Sequence, residues 1–233
     1  MTSHSDDGGG VMTDKIERGT GRPPGGYSPD LISVTTVLRR KDPGGLMWWA
    51  NRAGLRGQSL AEARKGSAGV GTAVHALIEA WIHGQEDEHQ RVLDQAEEDG
   101  LPLEVVRAAY GAFRAWWEEM GLAIRATEIP LEDTALGIAG TLDVLLEDRA
   151  GHLWIGDWKT SKAVYPEMVA QLAAYAHLWT LNRGQSIAGG RIIRVSKGGT
   201  THAHRYPDLS AGWDMFRALL DAEMAARRIK EIL

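Results

Sequence analysis

At Gly121 the hydrophobic pattern of this 233-residue chain changes its period. Before that point, apolar residues recur at helical spacing through "SAGVGTAVHALIEAWIHG" (67–84), through an acidic stretch, and through "PLEVVRAAYGAFRAWWEEMG" (102–121), which ends on a glycine suited to stopping a helix. After it come three strand-like runs, "AIRATEIPLED" (123–133), "LGIAGTLDVLLED" (136–148) and "HLWIGDWKT" (152–160). A helix entered near Pro166, a hairpin through Gly198-Gly199 and an amphipathic helix over about 210–232 complete the chain. Helices, three strands, a helix, two strands and a helix predict an α/β (α+β) fold. Its core is a central mixed sheet of about five strands flanked by helices, with a helical N-terminal half.

Length and a 43% hydrophobic content suffice for one sizeable core, so a single folded domain is expected over 30–233, with a helical part at 30–121 and the sheet core at 122–233. Residues 1–29, rich in Gly and Pro and poor in aliphatics, are expected to form a flexible tail. In "SPDLISVTTVLRR" Ser33 or Thr35 suits a helix cap, and "DPGGLMWWANRAGL" reads as a further helix bearing Trp48 and Trp49. There is no internal repeat.

The absence of cysteine excludes disulfides, thiolate zinc sites and cysteine-held iron–sulfur clusters, so any metal must sit on carboxylates, imidazoles or carbonyls. No apolar run approaches a membrane span and no signal peptide opens the chain, so a soluble, intracellular protein is expected. The net charge of −5 is local: residues 86–104 hold eight acids against one arginine, a net of −7, which leaves about +2 for the rest. A chain without a global basic footprint is a poor candidate for coating DNA nonspecifically.

Within the strands, two acids and a lysine interrupt apolar sequence in "GTLDVLLEDRAGHLWIGDWKT" (140–160). Leu136, Ile138, Leu142, Val144 and Leu146 alternate and are expected to face a helix layer, which leaves Asp143 on the other face. Leu153, Ile155, Asp157 and Lys159 share one face of the next strand. The link "DRAG" suits a three-residue loop of Arg149, Ala150 and Gly151, with glycine in the left-handed position. Such a loop pairs residues whose numbers sum to 300, and so sets Asp143 opposite Asp157 with Cβ atoms roughly 4.5–5.5 Å apart. Opposed like charges are destabilising unless a positive charge joins them; Lys159 offers one and a divalent cation the rest. Two carboxylates with a strand carbonyl such as that of Trp158 form the hard oxygen set that magnesium or manganese takes. Surface acids salt-bridged to Lys159 are the plainer alternative.

"GTLD", then the second acid 14 residues after the first, then "DWKTS", resembles the PD-(D/E)xK nuclease superfamily in its RecB-like branch, of the stand-alone phage and bacterial type. The likeness extends to "GTAVH", "QLAAY" and "ISVTTVL" with "LMWWA", over about residues 31–206. It implies a restriction-endonuclease-like core and a magnesium- or manganese-dependent deoxyribonuclease, an exonuclease acting on single-stranded or duplex DNA ends in recombination, repair or phage DNA metabolism. Asp143, Asp157 and His75 would be metal ligands, and Lys159 would orient the attacking water. Gln171 and Tyr175 would line the site, with Glu128 a further acid beside it. His75 has its own plainer reading as a core histidine near Val74, Ile78 and Ile82, with Gly71 leaving room one turn earlier; Gln171 equally suits a core hydrogen bond. Most of the nine tryptophans are expected to pack in the core, and Trp48 or Trp49 is the candidate to stack an unpaired base at an entry channel.

Leu142 replaces the proline of the superfamily's name, and the four-cysteine iron–sulfur staple is missing, so the cluster-free form is implied. Without a "GxxxxGK" loop, unwinding would need a helicase or recombinase in trans. No membrane partner is implied, and the setting would be the bacterial cytoplasm. Two rivals are a non-catalytic DNA-binding or scaffold module on the same fold and a hydrolase of small phosphoesters.

Overall fold

The computed structural model describes residues 16–23, 26–40 and 60–233, the side chains of 60–68 excepted. The helices are α1 (Val34–Leu38), α2 (Leu60–Ile82), α3 (Glu86–Glu98), α4 (Leu103–Met120), α5 (Pro166–Arg183) and α6 (Ser210–Glu231). The strands are β1 (Glu17–Arg18), β2 (Ile32–Ser33), β3 (Ala123–Asp133), β4 (Ile138–Glu147), β5 (Leu153–Lys159), β6 (Gly190–Ser196) and β7 (Thr200–Tyr206). Local chemistry accounts for several boundaries. Ser33 caps α1 by accepting from the Thr36 amide, and Gly121 and Gly184 close α4 and α5 in the left-handed conformation.

One mixed sheet runs β1-β3-β4-β5-β6-β7, with the two-residue β2 alongside β4. Five strands are long, as expected. The two short ones are not evident from periodicity, and both pair in parallel: Glu17 lies beside Ala126 and Ile32 beside Ile138. Residues 16–23 therefore join the sheet rather than standing outside it, because the Gly19 amide donates to Thr127 O at 2.8 Å and the Gly21 amide to Glu128 O at 3.1 Å. The segment with Trp48 and Trp49 lies outside the described residues.

Helices cover both faces of the sheet. Under α2 and α4 lie Val144, Leu146, Trp154 and Trp158, packed with Leu77, Phe113 and Trp117. The opposite face packs Leu142, Leu145 and Ile155 beneath α1, α5 and α6. The expectation that one helix layer takes all the even positions of β4 is therefore corrected. Leu142 and Leu145, three apart, share one cluster, while Val144 belongs to the other. β3 shifts phase in the same way, since Ala126 and Ile129 share a cluster. Between these pairs lies Glu128, a non-glycine residue at φ +53°, which breaks the pleat where β3 runs beside Asp143.

Candidate active site

The "DRAG" loop forms as its residues dictate. Asp148 N donates to His152 O at 3.0 Å, and Gly151 takes φ +81°. The β4–β5 ladder keeps residue numbers summing to 300 from Glu147↔Leu153 to Val144↔Gly156, and ends there. On that edge of β4, β2 takes over at Ala139, so among the described residues Gly140–Asp143 have no ladder partner on that side. β5 leaves to run beside β6 as far as Lys159↔Arg194. The two acids sit at this fork, where strands part and backbone no longer fills the space between them.

Asp157 is buried, at 2% exposure. Its Oδ1 accepts from Lys159 Nζ at 2.8 Å. Oδ2 lies 2.7 Å from the same nitrogen but outside hydrogen-bonding geometry, and it has no other partner. Asp143 is partly open to solvent but crowded by protein. That desolvation, and then the neighbouring Asp157 charge, hold its carboxyl well above the usual range. The two carboxyls lie within hydrogen-bonding reach, an arrangement that needs a shared proton or a cation between them. Lys159 also donates to Gln171 Oε1 at 3.3 Å, so α5 holds the ammonium from the other side.

Tyr175, one turn beyond Gln171, is buried, and burial followed by the Asp143 charge raises its pKa far out of reach of titration. Its ring rests on Gly140, where a Cβ would come within 2.9 Å of the phenol oxygen. The glycine of "GTLD" is thus a seat for Tyr175. His75 approaches from α2, whose Gly71 packs so closely on the end of β5 that a Cβ there would lie 2.5 Å from Thr160 Oγ1. Burial, ahead of the opposing Asp157 charge, lowers the His75 pKa and favours the neutral ring, which also bonds the Trp158 backbone. The Trp158 indole points away, edge-on to Phe113 at 5.2 Å.

The profile of the PD-(D/E)XK nuclease superfamily matches residues 46–231. The chain belongs to that superfamily. No curated protein matches it. Membership suggests metal-dependent nuclease activity, and the mixed sheet flanked by helices is the architecture of a PD-(D/E)XK core.

Glu128, the further acid that the resemblance implies, lies on β3 opposite Asp143 and adds to the charge that raises the Asp143 carboxyl; its own pKa is raised by burial and then by Glu79. Other neighbours are not evident in the sequence. Glu79 stands one turn beyond His75 on α2 and meets Arg18 at 3.4 Å. His83, another turn on, lies 3.2 Å from Thr127 Oγ1. Tyr27 reaches Thr141 Oγ1 at 2.7 Å. The N-terminal segment thereby walls the β3 side of the acids. Its only legible signal is "GTGRPPGGY", whose glycines permit close approach: a Cβ on Gly19 would fall 1.9 Å from Glu128 O. An open cavity of about 720 Å³ lies elsewhere, between α5 and α6 beside His177 and Trp213, and holds no carboxylate pair.

Proposed function

We propose that this superfamily member is a magnesium- or manganese-dependent deoxyribonuclease of RecB-like type that hydrolyses phosphodiester bonds at DNA ends. The observation that carries the reading is the carboxyl pair, buried Asp157 beside partly exposed Asp143, with the Lys159 ammonium to balance two acids. Among the described residues no three His, Asp or Glu side chains gather to hold an ion by themselves. The donor chemistry nevertheless suits a hard cation, since the Asp157 carboxyl faces a second carboxyl and its Oδ2, though 2.7 Å from the Lys159 ammonium, makes no hydrogen bond. Asp143 and Asp157 would hold it, with His75 and the Trp158 carbonyl as further donors. When bound, a divalent ion acidifies a water and neutralises charge on the phosphorane.

The chain's own groups divide the remaining work. Lys159, held between Asp157 and Gln171, sets a fixed positive charge where a nucleophile would approach. Gln171 orients that lysine. Tyr175 stays protonated and keeps its hydroxyl as a donor beside Gly140. Glu128 extends the acidic wall towards the N-terminal segment.

The test uses 5′- and 3′-labelled linear DNA against circular DNA, single- and double-stranded, with magnesium, manganese or EDTA. Ion-dependent loss of label from linear substrate alone supports an exonuclease. Persistent cleavage by Asp157→Ala would sink the assignment.

A further inference from the structure

The sequence of the β6–β7 hairpin concentrates basic residues. Residues 190–206 carry three arginines, one lysine and two histidines and no acid, within a protein of net charge −5. The two faces of the hairpin use these cations differently. Arg191 and Arg205 lie 4.7 and 4.4 Å from the Trp154 ring centre, on the face away from the acids, and are committed to packing. Arg194 pairs with Lys159 across β5 and β6, and His202 pairs with Arg194 across β6 and β7. Paired residues project to the same face, so all three lie on the side of Asp157.

Arg194 also donates to the Lys162 carbonyl at 3.2 Å, which ties the loop after β5 against the hairpin and brings Lys162 alongside. Crowding among these groups bears on their titration. His204 is lowered by burial and then by Arg194 and His202, and Lys197 by burial and then by Lys162. Lys159, Arg194, Lys162 and Lys197 thus lie near one another on that side. Concentrated positive charge on an otherwise acidic protein is the footprint of a polyanion rather than of a single ion.

We infer that the acid-side face of the β6–β7 hairpin, through Arg194, Lys162, Lys197 and His202, carries the phosphodiester backbone of the strand whose bond is presented to Asp143 and Asp157. The inference rests on the nuclease reading above and names the surface through which that site holds its polymer. It also gives the net charge of the protein a meaning: binding is local and confined to one track.

The test measures fluorescence anisotropy of a labelled single-stranded oligonucleotide in EDTA over a salt series, with cleavage assayed separately in manganese. The combined variant Lys162→Ala, Arg194→Gln, Lys197→Ala should bind about tenfold or more weakly, and its log K against log salt slope should fall by about 0.7 for each phosphate that is no longer neutralised. Thr200→Lys, which adds a cation on the same face of β7, should tighten binding and steepen the slope; it serves equally if the combined variant melts early. Arg228→Ala with Lys230→Ala, at the far end of α6, should bind like the wild type. A wild type that cleaves DNA while the combined variant keeps wild-type affinity and slope overturns the track alone. A wild type that neither binds nor cleaves DNA overturns both readings.

Discussion

The two ends of the β4–β5 hairpin carry acids of opposite character. At the loop end, Asp148 accepts from Ala150 N at 2.9 Å, His152 N at 3.0 Å and Trp154 Nε1 at 3.0 Å. Desolvation pulls its pKa up, but the bonds from His152, Trp154 and Ala150 outweigh that and bring it to about 2. At the fork end, Asp143 and Asp157 face each other over a single lysine, and Asp143 is pushed up instead of down. The same two strands, in one register, thus hold a carboxylate whose partners are complete and a pair whose partners are not. A satisfied acid stabilises a turn. An incompletely satisfied pair needs a shared proton or a bound cation, which is why the proposed function is placed at the fork rather than the loop.

That contrast can be broken most sharply by substitution at each end. Asp157→Ala should lower DNA cleavage by about a thousandfold, with the folded state retained by circular dichroism. Asp148→Asn should leave cleavage at the wild-type rate; a comparable loss there would erase the distinction. A smaller effect is expected from Gly140→Ala, whose Cβ would push on the Tyr175 ring at 2.9 Å. Misplacing that wall should cost cleavage about tenfold to a hundredfold, and Gly140→Ala with Tyr175→Ala should recover part of it.

Stability sharpens the comparison further. Manganese should raise the melting temperature of the wild type, by about 2.7 kcal/mol of stabilisation at a hundredfold excess over its dissociation constant. Asp157→Ala should show no such shift in differential scanning fluorimetry. The least effect concerns acid. The Asp148 pKa is depressed from 3.8 to about 2, so its contribution is complete above about pH 4 and fades as pH falls towards 2. Melting curves of the wild type and Asp148→Asn should therefore differ at neutral pH and converge in acid. Curves that stay apart at pH 2 would mean that Asp148 acts through something other than its charge.

Much of this was legible from local pattern because the causes are local. The three-residue loop ending on Gly151 needs only a glycine at φ > 0, and once it forms the two-strand register follows along the hairpin. Helix caps at Ser33 and Gly121 depend on neighbours a few residues away. The parallel pairings of β1 and β2 depend on residues about a hundred positions distant, and two residues carry no period to read. Glu128 gave no warning of its left-handed backbone, since glutamate adopts it only when surrounding structure compels it.

By itself, then, the amino-acid order determined the longer helices and strands, the hairpin register, and the approach of Asp143, Asp157 and Lys159, because short-range sterics and turn geometry suffice for each. Tertiary structure alone decided that the ladder stops one pair short of the acids, and that the segment carrying Tyr27 forms a wall of their cleft. It also decided that Gln171 on α5 holds Lys159, and that α2 sets His75 over the end of β5. Those outcomes arise from long-range packing, whose geometry is written in no single stretch of the chain.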